Sequence, residues 1–414
     1  MLKTNNYFKK NIYIGFILLI LLFLIGSLES VKGNRLILNL KYIVYIIGII
    51  YVFINNKLFF KFKNRRIYYI LLTMIFGFMV LPLAGFFIKY DFQIILNIFL
   101  FFVYIIFLLA VSFVINKEKM FNPIIKVITN TLLLFIVFII FKNGTDLLNV
   151  NNIITAFNIE DRYRQSYGLK HPNTLGNICF VFISLTVYRL FYTKQKKISI
   201  AIGIFSLLIV FLVMLTSGSR TALMSTSLLA VICAVNSVFV FKNKLLNRIS
   251  IILNTLLTIL LVLIAFYFRE MFNIGELLAK SNRYYYWIDT IQYLNRHMNI
   301  FIGLGFVNIS YFYSSYNFST NLITDNWFLY TYMTLGVLGI LSIIIIIGII
   351  LANFITYKGK YRDRKFSFFI GFFLVCIFYS SFEVTYFAPS ELLSLINWIL
   401  IFFYLEHTKN QDNL

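Results

Sequence analysis

The sequence predicts an all-α, polytopic membrane protein, and three observations carry that prediction. Hydrophobic residues fill 60% of the 414 positions and charged residues only 13%, too few charges to give a chain of this size a water-facing surface. The apolar residues gather into runs of about 20, the length at which a helix crosses a bilayer. The basic residues fall in short clusters between those runs, the pattern that sets membrane topology. The same distribution argues against nucleic-acid binding as the reason for a net charge of +22, because no single basic face or stripe forms.

Twelve spans are expected, at roughly 11–28, 37–55, 67–88, 94–115, 124–142, 173–192, 199–216, 221–241, 249–268, 327–352, 366–382 and 390–405. Lys3, Lys9 and Lys10 precede the first. Gly26-Ser27-Leu28-Glu29 after it offers no small-residue cleavage signal, so it reads as an uncleaved span rather than a signal peptide. Lys57, Lys61, Lys63, Arg65 and Arg66 separate the second span from the third. The tenth is long, and Gly336 and Gly339 within it favour a bend or tilt. Cys179, Cys233 and Cys376 each lie inside an apolar run, out of reach of an aqueous disulfide. No repeat and no separate soluble domain interrupts the pattern, so 1–414 reads as one integral membrane domain.

Orientation follows from the connections. With the N-terminus in the cytoplasm, the inner segments hold 22 basic and 4 acidic residues, an excess of +18. The outer segments hold 12 basic and 11 acidic, an excess of +1. Lys41, Lys126 and Arg189 lie within or at the ends of spans. An even number of spans returns the C-terminus to the cytoplasm. Two outer connections are long, about 143–172 and about 269–326, and loops of that length are usually functional or disordered. Their aromatic content favours order.

The candidate chemistry lies on that outer face. The first long loop ends in Arg162, Arg164, Lys170 and His171 just before Pro172-Asn173-Thr174 opens a helix. Asn173 or Thr174 is the expected cap, and a helix N-terminus beside arginines suits a phosphate group; paired acids and bases in a solvated loop are the plainer reading. Thr216-Ser217-Gly218-Ser219-Arg220-Thr221 makes a tight turn, where Arg220 either meets a buried anion or snorkels to headgroups. Arg283, Trp287 and Ile291 share one face of an expected helix, amphipathic on the membrane surface. Asn295-Arg296-His297 ends it, and Gly303-Leu304-Gly305 follows as a turn. Asp325 and Asn326 stand where a helix N-cap is expected before the tenth span. Glu383 beside Tyr386 reads either as a pocket acid or as an interface anchor.

These residues, in this order, resemble the O-antigen polymerase and ligase superfamily, whose polymerases are of Wzy type. Three features carry the resemblance over about 160–340. They are Arg164 followed by Pro172-Asn173-Thr174-Leu175-Gly176, the Thr216–Ala222 turn, and Arg283-x3-Trp287 leading through Gly303-x-Gly305 and Asp325-Asn326-x2-Leu329 to Gly336-x2-Gly339. The first five spans match in hydropathy alone. The resemblance implies a helical fold similar to the GT-C glycosyltransferases. It also implies glycan transfer from an undecaprenyl-diphosphate-linked oligosaccharide at the outer face of the bacterial cytoplasmic membrane, among membrane lipids, without metal or cofactor. In a polymerase of capsule, exopolysaccharide or O-antigen synthesis, a chain-length regulator is a further implied partner.

Carried onto this chain, the resemblance makes Arg164, Arg220, Arg283 and Lys170 the diphosphate-binding residues, since guanidinium groups suit phosphate oxygens and stay charged. Asp325 becomes the first candidate for the group that accepts or orients the acceptor proton, followed by His297 and His171. Trp287, Asn326 and Glu383 are candidate sugar contacts. Ligases of the superfamily carry His where this chain has Asp325, which favours a polymerase. A lipid-linked oligosaccharide flippase is the alternative of another class. It predicts charges within the spans and related halves, whereas here the spans are nearly free of charge. An assembly partner without catalysis is a third reading.

Overall fold

The computed structural model describes residues 2–55, 62, 64–89, 92–143, 164–238, 283–306, 326–357 and 365–412. Every regular element among them is helical, as lipid requires when no water is present to satisfy backbone groups. In chain order these are α1 (Leu2–Gly26), α2 (Arg35–Asn55), α3 (Arg65–Ile75), a π-helical turn (Phe76–Val80), α4 (Leu81–Lys89), α5 (Phe92–Lys117), α6 (Phe121–Asn143), α7 (Pro172–Tyr192), α8 (Lys197–Thr216), α9 (Arg220–Val238), α10 (Arg283–His297), α11 (Trp327–Thr356), α12 (Phe366–Ser380) and α13 (Leu392–Asp412). A 3-10 turn, Glu29–Val31, joins α1 to α2.

Eight segments have the length and composition to cross a membrane, α3, the π turn and α4 counting together as one. Three shorter apolar helices lie within α9, α12 and α13. Eleven of the twelve expected spans therefore coincide with helices, and the expected span 249–268 lies outside the described residues. The three cysteines are free and buried.

The last two helices form the centre. Every residue from Leu392 to Glu406 is buried, as is every residue of α12 except Ile377. Around them, α13 packs on α5, α7 and α11, and α12 packs on α9 and α11. The remaining helices form an outer layer: α2 lies on α5, α1 on α2 and α6, α6 on α7, and α8 on α7. On α8, Ile202, Ile204, Phe205 and Leu208 stay exposed, an apolar surface suited to lipid.

Two stretches of non-helical backbone are sunk into this bundle. The first is centred on Gly336, where α11 breaks with φ 64° and ψ −161°, a conformation essentially confined to glycine. The groups freed there bond to the chain after α10. Val337 N donates to Ile300 O (2.9 Å), Leu338 N to Phe301 O (3.1 Å), Leu304 N to Met333 O (2.9 Å) and Gly305 N to Thr334 O (2.8 Å). The backbones touch so closely that a Cβ on Gly303 would lie 2.6 Å from Gly336 N. The bend expected in the tenth span is thus a seat for another segment.

The second sunken stretch follows α12. That helix has 15 residues, about 22 Å at 1.5 Å per residue, shorter than the roughly 30 Å hydrocarbon core. The chain therefore leaves the helix before the surface, and Thr385, Tyr386, Phe387 and Pro389 stay buried. Tyr45 Oη donates to Pro389 O (3.1 Å) and Trp398 Nε1 to Tyr386 O (2.8 Å). Phe387 meets Phe78 of the π turn at 4.5 Å and Phe101 at 5.6 Å, while Phe306 stacks on Phe101 at 4.5 Å. One aromatic cluster thus holds both irregular stretches, and the extra residue of the π turn supplies part of it.

Candidate active site

The approach to α7 carries the first expected motif, and its capping differs from expectation. His171, not Asn173 or Thr174, is the N-cap: its Nδ1 accepts from Asn173 N at 3.1 Å, with Pro172 in the first turn. Pro172 has no N–H to satisfy there. Asn173 is thereby released for another task. Its Oδ1 accepts a short hydrogen bond from Arg164 Nη2, and its Nδ2 donates to Glu383 Oε1 at 2.6 Å. A guanidinium and a carboxylate more than 200 positions apart in sequence are joined through one amide.

Arg164 also fixes the tight turn between α8 and α9. Its Nε donates to Ser217 O at 2.9 Å, Gln165 N donates to Thr216 O at 3.1 Å, and Tyr167 Oη lies 3.2 Å from Thr216 Oγ1. Thr216, Ser217 and Ser219 are buried, and Gly218 takes a positive φ of 57°. A Cβ on Gly176 would lie 2.4 Å from that of Ser219, so this glycine lets α7 pass beneath the turn. Arg220 opens α9 and is exposed.

The same segment reaches α1. Lys170 N donates to Ser27 O and Glu29 N to Gly168 O, both at 2.9 Å. The 27–31 turn, the 164–171 segment, the 217–219 turn and the 381–391 stretch therefore share one face of the bundle. Burial holds the Lys170 ammonium below the usual lysine range; Glu391 and Glu29 oppose that shift, and Lys32 adds to it.

The expected residues divide into groups. Arg164, His171 and Glu383 converge through Asn173. Lys170 is adjacent in sequence but turns to another cavity, lined also by Lys41 and Glu391. Arg283 and His297 begin and end α10. Its buried stripe is Trp287, Thr290 and Leu294. Trp287 is thus buried in the structure, while Ile291, one turn further along the same helix, is exposed. Asn326 caps α11, its Oδ1 accepting from Phe328 N (2.9 Å) and Leu329 N (3.1 Å). Asp325 lies outside the described residues. Among the described residues no three His, Cys, Asp or Glu side chains gather as a metal site would need. Asn173 is the member that sequence reasoning missed as a site residue, because an Asn beside a helix start reads first as a cap.

The chemistry available here is anion recognition beside an acid. A turn of small buried residues presents Arg220, and a second arginine braces that turn from behind. The turn, α10 and the break in α11 all lie within one further finding. Residues 205–344 match the family model of O-antigen ligase, Wzy_C. This match, over about a third of the chain, supports the O-antigen polymerase and ligase superfamily, and the apolar helices mark a polytopic membrane protein. The Wzy_C region takes in Arg220, Arg283, Gly303, Gly305, Asn326 and Gly336, whereas Arg164 and Glu383 lie outside it. No curated protein matches the chain.

Proposed function

We propose that this protein is a polysaccharide repeat-unit polymerase. It moves a growing glycan from undecaprenyl diphosphate onto an incoming lipid-linked oligosaccharide at the outer face of the cytoplasmic membrane, in capsule, exopolysaccharide or O-antigen synthesis. The observation that carries the proposal is the arginine-braced turn, where Arg164 holds Ser217 and Asn173 while Asn173 holds Glu383. Diphosphate is already a good leaving group, so the chief demand is to stabilise charge growing on it. Preorganised donors in a partly dry site do this well. Arg220 is the group offered to the diphosphate, with Arg283 and the Asp325 region completing the site from the second long loop. Glu383, held in place by Asn173, is suited to orient an acceptor hydroxyl, a role shared with Asp325 and His297.

Asp325 favours polymerase over ligase, since the superfamily's ligases carry His at that position. The family description, O-antigen ligase, supports the neighbouring reading in which the acceptor differs and the donor chemistry is shared. Purified protein incubated with a lipid-linked repeat unit is expected to give longer lipid-linked glycan. Arg220→Ala is expected to lower that rate by roughly a hundredfold or more, the usual effect of removing one donor from developing charge. No chain extension by the wild type, or full extension by Arg220→Ala, would reject the reading.

A further inference from the structure

Two adjoining spaces along the seam of α1 and α2 take no part in the arginine site. At the end nearest the 27–31 turn lies a cavity of about 370 Å³, lined by Lys41, Lys170, Glu391, Asn177, Ser27 and Tyr42 among others. Further along the same two helices runs an apolar groove of about 290 Å³, lined by Gly15, Phe16, Leu19, Val44, Gly48 and neighbours. Lys41, Val44, Gly48 and Val52 follow one helical stripe on α2, and Phe16, Leu19, Phe23 and Gly26 one stripe on α1. Cavity and groove therefore lie in line, about 10 Å apart from Lys41 to Gly48 along the helix.

Lys41 is the unusual member. An ionisable side chain within a span is costly and marks function by default. Snorkelling does not explain it, since only 8% of the residue is exposed. Its ammonium lies 5.4 Å from the Phe23 ring and 5.6 Å from the Tyr42 ring. Among the described residues neither Lys41, Lys170 nor Glu391 forms an ion pair with another of the three. Two ammonium groups and one carboxylate thus face a common space with a net positive charge, partly out of water, where an anion is bound more strongly than in solution. The groove in line with it has open space beside Gly15, where an added Cβ would meet no atom within 4 Å.

We propose that this seam binds a single-chained isoprenoid lipid through its phosphate head, with Lys41 and Lys170 on the phosphate and the chain along the groove beside Gly15 and Gly48. Charge complementarity selects the phosphate head, and the apolar groove in line with it seats a chain. On the polymerase reading, on which this last identification rests, the seam seats one of the two carrier lipids handled in each transfer, and the arginine turn faces the other. Glu391 tempers the positive charge of the head site.

The test uses the purified full chain in detergent micelles, titrated with undecaprenyl monophosphate, dioleoyl phosphatidylglycerol and inorganic pyrophosphate, with binding read by native mass spectrometry. The isoprenoid phosphate is expected to bind at least about tenfold more tightly than phosphatidylglycerol. Lys41→Met is expected to weaken it by about tenfold, the scale of one charge-assisted contact. Gly15→Leu fills the groove and is expected to weaken the lipid while leaving pyrophosphate unchanged. Glu391→Gln is expected to tighten both, an effect that damage to the fold does not produce. Equal binding of phosphatidylglycerol, unaltered binding by Lys41→Met, unaltered lipid binding by Gly15→Leu, or weakened binding by Glu391→Gln each overturns the proposal. Arg220→Ala separates the two readings. Normal lipid binding without chain extension supports both, whereas extension that survives Arg220→Ala rejects the arginine site and leaves the seam standing.

Discussion

At the scale of single residues, hydrogen bonding decides between roles that the sequence leaves open. His171 accepts from Asn173 N through Nδ1, so in its neutral form Nε2 carries the proton and no basic nitrogen is left for substrate. His171→Asn, which keeps a capping oxygen, is expected to retain chain extension. His171→Ala is expected to lose about 1 kcal/mol of stability, the usual cost of an N-cap, read as a lower midpoint of thermal unfolding in detergent. Loss of extension in the Asn variant at full stability would restore His171 as a base. Arg164 makes the opposite case. Lysine at 164 offers a single compact charge and cannot span Ser217 O and Asn173 Oδ1 together, so Arg164→Lys is expected to behave like Arg164→Ala in the extension assay. Arg164 was legible in the sequence because its motif is contiguous with the start of α7. The partnership of Asn173 with Glu383 was not, because it joins positions 210 apart.

At the scale of elements, the broken helix gives the sharpest expectation. Gly336 combines a positive φ with backbone atoms of Phe301 2.4 Å from any added Cβ. Gly336→Ala is therefore expected to unseat the 299–305 segment and lower stability by more than about 3 kcal/mol, in the range reserved for backbone strain and lost buried partners. Gly348, in the regular part of the same helix, has open space around it. Gly348→Ala is expected to be neutral or to stabilise by about 0.5–1 kcal/mol. Thermal unfolding of the pair checks both, and equal effects would show that the break is incidental. Apolar runs near 20 residues made the crossing helices legible. The glycines announced a bend, but nothing local to Gly336 told that Ile300 and Phe301 would fill it, since that pairing depends on how α10 returns to the bundle. Lys41 was likewise visible only as a lone cation in a span, its companions Lys170 and Glu391 being set beside it by tertiary packing.

At the scale of the whole molecule, four turns and stretches collect on one face, the face that the basic excess of the sequence predicts to be the outer one. With the three buried native cysteines replaced, Ser30→Cys is expected to react with an impermeant thiol reagent on intact cells. Lys196→Cys, exposed at the opposite end of α7 and α8, is expected to react only after permeabilisation. The reverse labelling would invert the topology and remove the outer-face reading of the site. The opposite face has its own clasp. Arg66 Nη1 donates to Asn353 Oδ1 (2.9 Å), Asn64 Nδ2 donates to Leu405 O (2.7 Å), and Glu406 Oε2 accepts from Asn64 N (3.2 Å). The central helix α13 is thus pinned at both ends, with Trp398 and Tyr386 near the site and this polar group away from it.

The central position of α12 and α13 has a consequence for how the protein is made. A ribosome delivers helices in order, so the two that fill the middle emerge after every helix that surrounds them. Until they arrive, α5, α7, α9 and α11 stand around a gap that only lipid can occupy. α12 is shorter than the hydrocarbon core is thick, which makes it a weak candidate for entering the bilayer by itself. It can settle once that ring is ready to exchange lipid for protein contacts. Release of lipid from the centre would then be the last step of assembly, and it would coincide with delivery of Glu383 and Glu391 to their partners on α7 and in the α1–α2 seam. Completion of the bundle and completion of the site become one event, so a chain stalled before α12 exposes an unfilled interior and carries no finished site.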